Sequence, residues 1–458
     1  MTHLYAAPLL ELGDDATVTP NLVEAWEQVD ETTLSLTLRD GLQFTDGTSV
    51  NAEAVRYSLQ RAADPVKGAS DSDWLQGVSI TTPNARTVLL KFPAPNAVFL
   101  EALTMNSPGG VAAIVSPTAF ERLGEEQFNQ QPVSIGPFKV EKLEFDGESV
   151  FVRNEGWPFT DARGARLPYL DRVRVRVISD TAVSVAELET GGIDVDYVFL
   201  NENVPRVRSQ PNLDVMVEIG ALEQSIIMNF VKAPTNIKAL RQAICYGLDR
   251  DEFVATFLGD LGNPGAGPLT PVNRAYDPNV PTYTYDEGKA RQLLSQAGFP
   301  NGLRLGIVTY TSGVYPKIGE LAQAQLRRLG IDLTVDSREA TVAGQEFRDE
   351  GKYELYLGGS GVPKGDPYPY FLSRYVGALP RGAELPEIKR LLDQALRTFD
   401  VEERDKLYSE IQRLDFETAT RVWLMQAPRL AAHNARVRGI RWLPAGSAID
   451  LQHAWKEA

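Results

Sequence analysis

Few residues in this sequence are suited to catalysis. One cysteine, Cys245, and three histidines, His3, His433 and His453, are all that 458 residues provide. A lone cysteine cannot close a disulfide within the chain or build a cysteine-rich zinc site, and neither HExxH nor CxxC occurs. Gly358-Gly359-Ser360-Gly361-Val362 approaches a nucleophile elbow, but valine stands where GxSxG ends in glycine. The glycines from Gly259 to Gly267 lack the Lys-Ser/Thr that completes a phosphate loop. A hydrolase would need a base beside Ser360. The expectation is therefore a non-enzyme that needs no cofactor and no metal. Binding chemistry is better represented. Tyr368, Tyr370 and Phe371 follow Asp366-Pro367. Their rings can offer flat apolar faces to a sugar ring or a peptide side chain, or pack inside a core.

The composition narrows the partners. The net charge is −15 and the pI about 4.9, which disfavours a nucleic-acid surface built from clustered Lys and Arg. No apolar run approaches the ~18–20 residues of a membrane helix. A single core stops growing near ~250–300 residues, so two or three domains are expected.

These groups must be positioned by alternating strands and helices. Leu34-Ser35-Leu36-Thr37-Leu38 has the period of two of a half-buried strand. Further strands are expected at 87–92, 148–153, 173–178 and 331–335. Asp46-Gly47 marks a turn. A helix follows Asn51, and others are predicted over 286–297, 317–329, 384–398 and 401–418, with Gly298 ending the first of these four. Ile237, Leu240, Ile244 and Leu248 fall at helical spacing, which places Cys245 in a core. Such alternation argues for α/β layers.

Several of these segments together carry a family resemblance. Leu22-Val23-Glu24-Ala25-Trp26, Leu38-Arg39-Asp40-Gly41 through Thr45-Asp46-Gly47-Thr48, and Ala52-Glu53-Ala54-Val55 with Tyr57-Ser58-Leu59 resemble the signature of the family 5 extracellular solute-binding proteins. These are the oligopeptide, dipeptide and nickel receptors of ABC importers. The similarity continues through Ser134-Ile135-Gly136-Pro137-Phe138-Lys139, Gly191-Gly192-Ile193-Asp194, and Asn229 with Leu240-Arg241-Gln242-Ala243-Ile244 and Leu248-Asp249-Arg250. It extends to Lys289-Ala290-Arg291-Gln292-Leu293-Leu294 with Ala297-Gly298-Phe299. Most of these residues identify the scaffold: Trp26 as packing, Arg241 and Asp249-Arg250 as structural hydrogen-bond or ion-pair groups.

The resemblance implies an α/β, two-lobed periplasmic-binding-protein fold with a hinge and an additional α+β domain on lobe one. Lobe one would comprise 1–9, 136–231 and 429–458, the additional domain 10–135, and lobe two 232–428. It implies a monomer outside the cytoplasmic membrane that delivers a small solute, a peptide or peptide-like compound, to ABC permease subunits. Members carry a signal peptide and a first strand of lobe one ahead of the segment that Met1-Thr2-His3-Leu4-Tyr5 matches. That strand and leader are expected to be missing here, leaving a sheet edge unpaired.

A second departure lies in the ligand loop. Where the family often reads GW-x-x-D-Y-P-D-P, this chain has Gly359-Ser360-Gly361-Val362-Pro363-Lys364-Gly365-Asp366-Pro367-Tyr368. Ser360 replaces the pocket tryptophan, and Pro363 falls at the Asp that pairs a peptide amine. An oligosaccharide or glycoside is thus an alternative ligand. An intracellular sensor reusing the fold is another, although no DNA-binding or partner segment is visible. Few histidines make the nickel branch weaker still. By resemblance, Gln224 and Ser225 sit on a crossover strand facing the ligand, and Arg348 is a basic residue able to meet a carboxylate or to end a helix in solvent. Gln224, Ser225, Arg348, Ser360, Tyr368 and Tyr370 are the candidate ligand-binding residues, with Asp366 orienting the loop.

Overall fold

A computed structural model describes residues 1–64, 72–104, 111, 113–197, 199–443 and 448–457. The chain divides into two compact units, Met1–Met216 with Ala431–Ala458, and Val217–Leu430.

In the first unit a short helix, Thr2–Tyr5, and the paired strands Leu10–Leu12 and Val18–Pro20 precede a four-stranded antiparallel sheet. Its strands are β1 (Val23–Asp30), β2 (Thr33–Leu38), β3 (Ser79–Asn84) and β4 (Thr87–Lys91), in the order β1-β2-β4-β3. The alternation in β2 buries Leu34, Leu36 and Leu38. They pack with Val55 and Leu59 of helix α1 (Ala52–Ala62) in one core. Asn51 starts this helix, its side chain accepting from Ala54 N at 2.9 Å, a cap that stabilises a helix by about 1 kcal/mol. Trp26 lies half-buried against the same core. Asp46 accepts from Thr48 N at 3.0 Å and Gly47 has φ 82°, which fixes the expected turn. Helix α2 (Pro117–Gln130) follows, then a three-stranded sheet of β5 (Phe138–Lys142), β6 (Glu148–Arg153) and β7 (Arg172–Arg176), and helix α3 (Thr181–Thr190). The short strand β8 (Val195–Asp196) pairs with the distal end of strand 421–434 through Val195↔His433.

The chain passes between units inside two long strands, β9 (Leu213–Met228) and Arg421–Asn434. In the second unit β9 is followed by helices α4 (Lys238–Gly247), α5 (Arg250–Phe257) and α6 (Glu287–Gln296), then β10 (Leu303–Tyr310), α7 (Tyr315–Arg328) and β11 (Ile331–Arg338). Helix α8 (Ala340–Arg348), strand β12 (Leu355–Gly361), α9 (Tyr368–Leu372), α10 (Pro386–Ala395), α11 (Val401–Thr418) and the strand Arg421–Asn434, β13, complete it. The strands lie in the order β13-β9-β12-β10-β11, with β12 antiparallel to β9 and parallel to β10.

Side-chain alternation splits this sheet into two faces. Ile226, Met228, Ile307, Leu355 and Leu357 pack toward α4, α6 and α7. Ile227, Val308 and Tyr356 face Ala343 and Phe347 of α8. Each fully buried Leu or Ile contributes about 1.5–3 kcal/mol relative to exposure. Cys245 lies in the first of these cores, where burial pushes its thiol up to about 12. Arg241 and Arg250 are buried and donate to backbone carbonyls, Arg241 to Thr418 O at 2.9 Å and Arg250 to Trp423 O at 2.8 Å. Asp249 caps α5.

Candidate functional site

The candidate loop is held by a buried carboxylate. Asp366 accepts from Arg404 Nε at 2.8 Å, Arg274 Nη2 at 2.9 Å, Tyr408 Oη at 2.6 Å and Tyr368 N at 3.0 Å. Asn273 Nδ2 donates to Pro363 O at 2.7 Å and Gly365 O at 2.9 Å. Lys364 reaches Glu218, which Arg429 also contacts. Asp366 thus orients the loop from inside, with two guanidinium groups balancing its charge.

Beside the loop lies a second charged cluster. Residues of β9 and β12 pair in register, Glu223↔Ser360, Gln224↔Gly359 and Ser225↔Gly358. Arg374, in the π-type turn Ser373–Gly377 after α9, donates Nη2 to Glu223 Oε1 at 3.1 Å and contacts Ser360 Oγ. Both charges are buried, Glu223 4% and Arg374 8% exposed, while Ser360 is exposed. The Arg374 guanidinium stacks 3.7 Å from the Tyr370 ring centre, and Tyr370 Oη donates to Pro268 O at 2.6 Å. Burial opposes the positive charge of Arg374, but Tyr370 and Glu223 more than offset it, so its pKa is raised. Arg421, from β13, donates to Arg374 O at 2.8 Å. Burial, and then the neighbouring Arg374 charge, lower its pKa against the smaller opposing pull of Glu223, Tyr375 and Asp415. Asp415 itself accepts from Trp423 Nε1 at 2.6 Å and Thr420 Oγ1 at 2.7 Å.

Not every polar atom here is satisfied. Among the described residues Glu223 Oε2, Gln224 Oε1, Arg374 Nε and Arg421 Nε are buried with no hydrogen-bond partner. Orphaned buried polar atoms are uncommon and call for an explanation.

The third group of side chains is tyrosyl. Tyr310 and Tyr356 hydroxyls lie 2.6 Å apart, and the Tyr310 and Tyr315 rings meet edge-on at 4.7 Å. Burial raises the pKa of Tyr315 and Tyr356 well above the ordinary phenol value. A Cβ at position 359 would sit 2.6 Å from the Glu223 carbonyl and 2.8 Å from Tyr315 Oη, so only glycine lets β12 approach here.

The six candidates therefore fall in different places. Ser360 and Tyr370 meet at Arg374. Gln224 and Ser225 follow Glu223 on β9, paired with Gly359 and Gly358, Ser225 buried. Arg348 ends α8, near enough to Tyr356 to affect its phenol, and its guanidinium has no ion-pair partner among the described residues. Tyr368 and Tyr370 are buried rather than open faces. Glu223 and Arg374 escaped the sequence reading. Glu223 left one signal: a carboxylate inside the otherwise uncharged run Ala221–Met228. Arg374 left none. Among the described residues no group of three His, Cys, Asp or Glu is placed to hold a metal, and no helix is long and apolar enough to cross a membrane.

Comparison with known proteins agrees with this architecture. The family profile described as bacterial extracellular solute-binding proteins, family 5 Middle, matches residues 17–378. The glutathione-binding protein GsiB of Shigella flexneri is 27% identical over 438 residues, covering 93% of this chain and 83% of its own. The Helicobacter pylori periplasmic binding protein DppA, solved with the peptide STSA, superposes with a TM-score of 0.81 at 24% identity, over 100% of this chain and 93% of its own. A dipeptide-binding protein from Pseudoalteromonas sp. SM9913, solved with Met-Leu, gives 0.82 at 22%, over 100% and 95%. The fold is the two-lobed one of periplasmic binding proteins.

Proposed function

Because the chain belongs to the family 5 bacterial extracellular solute-binding proteins of ABC transporters, we propose that it captures a peptide or peptide-like solute outside the cytoplasmic membrane. Two lobes, 1–9 with 136–231 and 429–458, and 232–428, close on the solute about a hinge, with 10–135 an additional domain. Closure follows from a higher affinity of the solute for the closed state. The protein acts as a monomer without catalysis, and the closed form delivers its solute to the permease subunits.

The observation that carries the reading is the charged pair Glu223–Arg374 beneath the exposed Ser360, with buried polar atoms left open on both partners. Such atoms suit a ligand rich in N–H and C=O groups. The peptides and glutathione named for related proteins support the same class. Gln224, Ser225 and Arg348 extend the polar surface in this reading, and the buried Tyr370 shapes it from below.

A thermal-shift panel of di- and tripeptides, glutathione, oligosaccharides and nickel tests it. A ligand at ~100 times its dissociation constant adds about 2.7 kcal/mol of stability. Shifts with peptides or glutathione are expected. A shift confined to saccharides or nickel would overturn the peptide reading.

A further inference from the structure

The two strands that pass between the compact units, β9 and β13, each carry a weak point just inside the second unit, whose limits are Val217 and Leu430. Gly220 is the only residue of either strand with positive φ, 80°. The bonds Ala435 N→Asn212 O and Met228 N→Thr420 O tie the strands at both ends. From Asn212 to Met228 the chain is one residue longer than from Thr420 to Ala435, so β9 holds an extra residue. A glycine in the left-handed region is what such a bulge uses. Pro428 stands as far from Thr420 as Gly220 does from Met228, and without an N–H it donates nothing to the ladder.

The loop before α9 straddles this bulge. Val362 N donates to Ala221 O at 2.9 Å, just after Gly220. Lys364 Nζ pairs with Glu218 Oε1, just before it. The other oxygen of Glu218 meets Arg429 Nη2, beside Pro428. One carboxylate therefore joins β9, β13 and the loop. The three side chains are between 14% and 20% exposed, so water and salt screen them less than a surface pair. A turn of β9 about Gly220 carries Glu218 away from Lys364 while Val362 stays on Ala221. The loop and the crossing strands thus cannot move independently while the cluster holds. A brace for the scaffold alone would need only Glu218 and Arg429; the Lys364 arm reaches the loop that Asp366 orients.

We propose, on the two-lobed reading above, that Gly220 and Pro428 form the pivot of closure and that Glu218 is a positioning residue, a latch through which the loop at Lys364 sets the angle of the crossing strands. A solute that shifts the loop is then felt at the pivot without touching it.

Single-molecule energy transfer on the full, unliganded chain tests the latch. Cys245 is buried, so dyes on Asp146→Cys and Arg304→Cys, both exposed positions, report one on each unit. Glu218→Gln and, separately, Lys364→Met are each expected to change the ratio of the distance populations by ~5-fold or more, the lower end of ordinary coupling between sites. Should Glu218→Gln fail to fold, Lys364→Met decides, because Lys364 lies on neither crossing strand. A lysine that merely braced its loop would leave the distance between units unchanged. An unaltered distribution in Lys364→Met therefore overturns the latch, whatever Glu218→Gln does. No solute enters this experiment, so its failure leaves the peptide reading to be judged separately by peptide binding.

Discussion

Asp366 and Glu223 show how differently two buried carboxylates can be used. Asp366 is saturated: two guanidinium groups, a tyrosyl hydroxyl and a backbone amide all donate to it. Removing one member of a buried pair leaves charges uncompensated, which costs about 3–5 kcal/mol. Asp366→Ala is therefore expected to lower unfolding stability by that amount in urea titration, with Arg404 left buried without its partner while Arg274 keeps only Asp405. A loss below about 1 kcal/mol would mean that the loop is held by its backbone bonds alone. Glu223 is half used: Arg374 takes one oxygen, and the other is buried without a hydrogen-bond partner. Legibility at this scale was uneven. Ser360 and Tyr370 stood out through their loop, and Asp366 through its position before Pro367. Glu223 and Arg374 lie 151 residues apart, and no local pattern in either segment announces a partner so distant.

At the scale of elements the sequence was more generous where one face meets solvent. The alternation at 34–38 and the apolar spacing of the expected helices after Asn51, over 286–297 and over 401–418 located β2, α1, α6 and α11 to within a residue or two, because a half-exposed element must advertise its buried face. The long strands β9 and β13 carried no such period. In β13 nearly every residue of 421–434 is buried on both faces, so apolar and polar positions do not alternate. Close approaches between elements were equally silent. Gly302, before β10, has φ 87°, and a Cβ there would lie 2.0 Å from Gly330 O. Gly302→Ala therefore combines a left-handed backbone with a backbone clash. It should destabilise the protein by about 1–3 kcal/mol in the same urea titration; a neutral result would show that the Gly330 turn yields at little cost. At position 359 the same sensitivity to an added Cβ ties the scaffold to the candidate site, since Glu223 and Tyr315 occupy that space.

For the whole molecule, composition set the outline and the family signature supplied the rest. Length called for more than one domain, and the chain forms two compact units joined inside β9 and β13. Acidic charge and scarce histidine argued against nucleic acid and metal before any fold was visible. The signature residues proved to be scaffold: Arg241 and Arg250 satisfy backbone carbonyls, and Asp249 caps a helix. For that reason the signature could specify the architecture while leaving the solute open. Side chains from β9, β12 and the turn after α9, distant in sequence, meet instead at Ser360 and Arg374.

The most direct measurement is titration calorimetry of the full chain with short peptides and, in parallel, oligosaccharides. The account predicts saturable one-to-one heat with a peptide or peptide-like solute, at micromolar dissociation constants or tighter, about −8 kcal/mol of binding free energy. Saturable heat from saccharides alone, with none from any peptide, would contradict it.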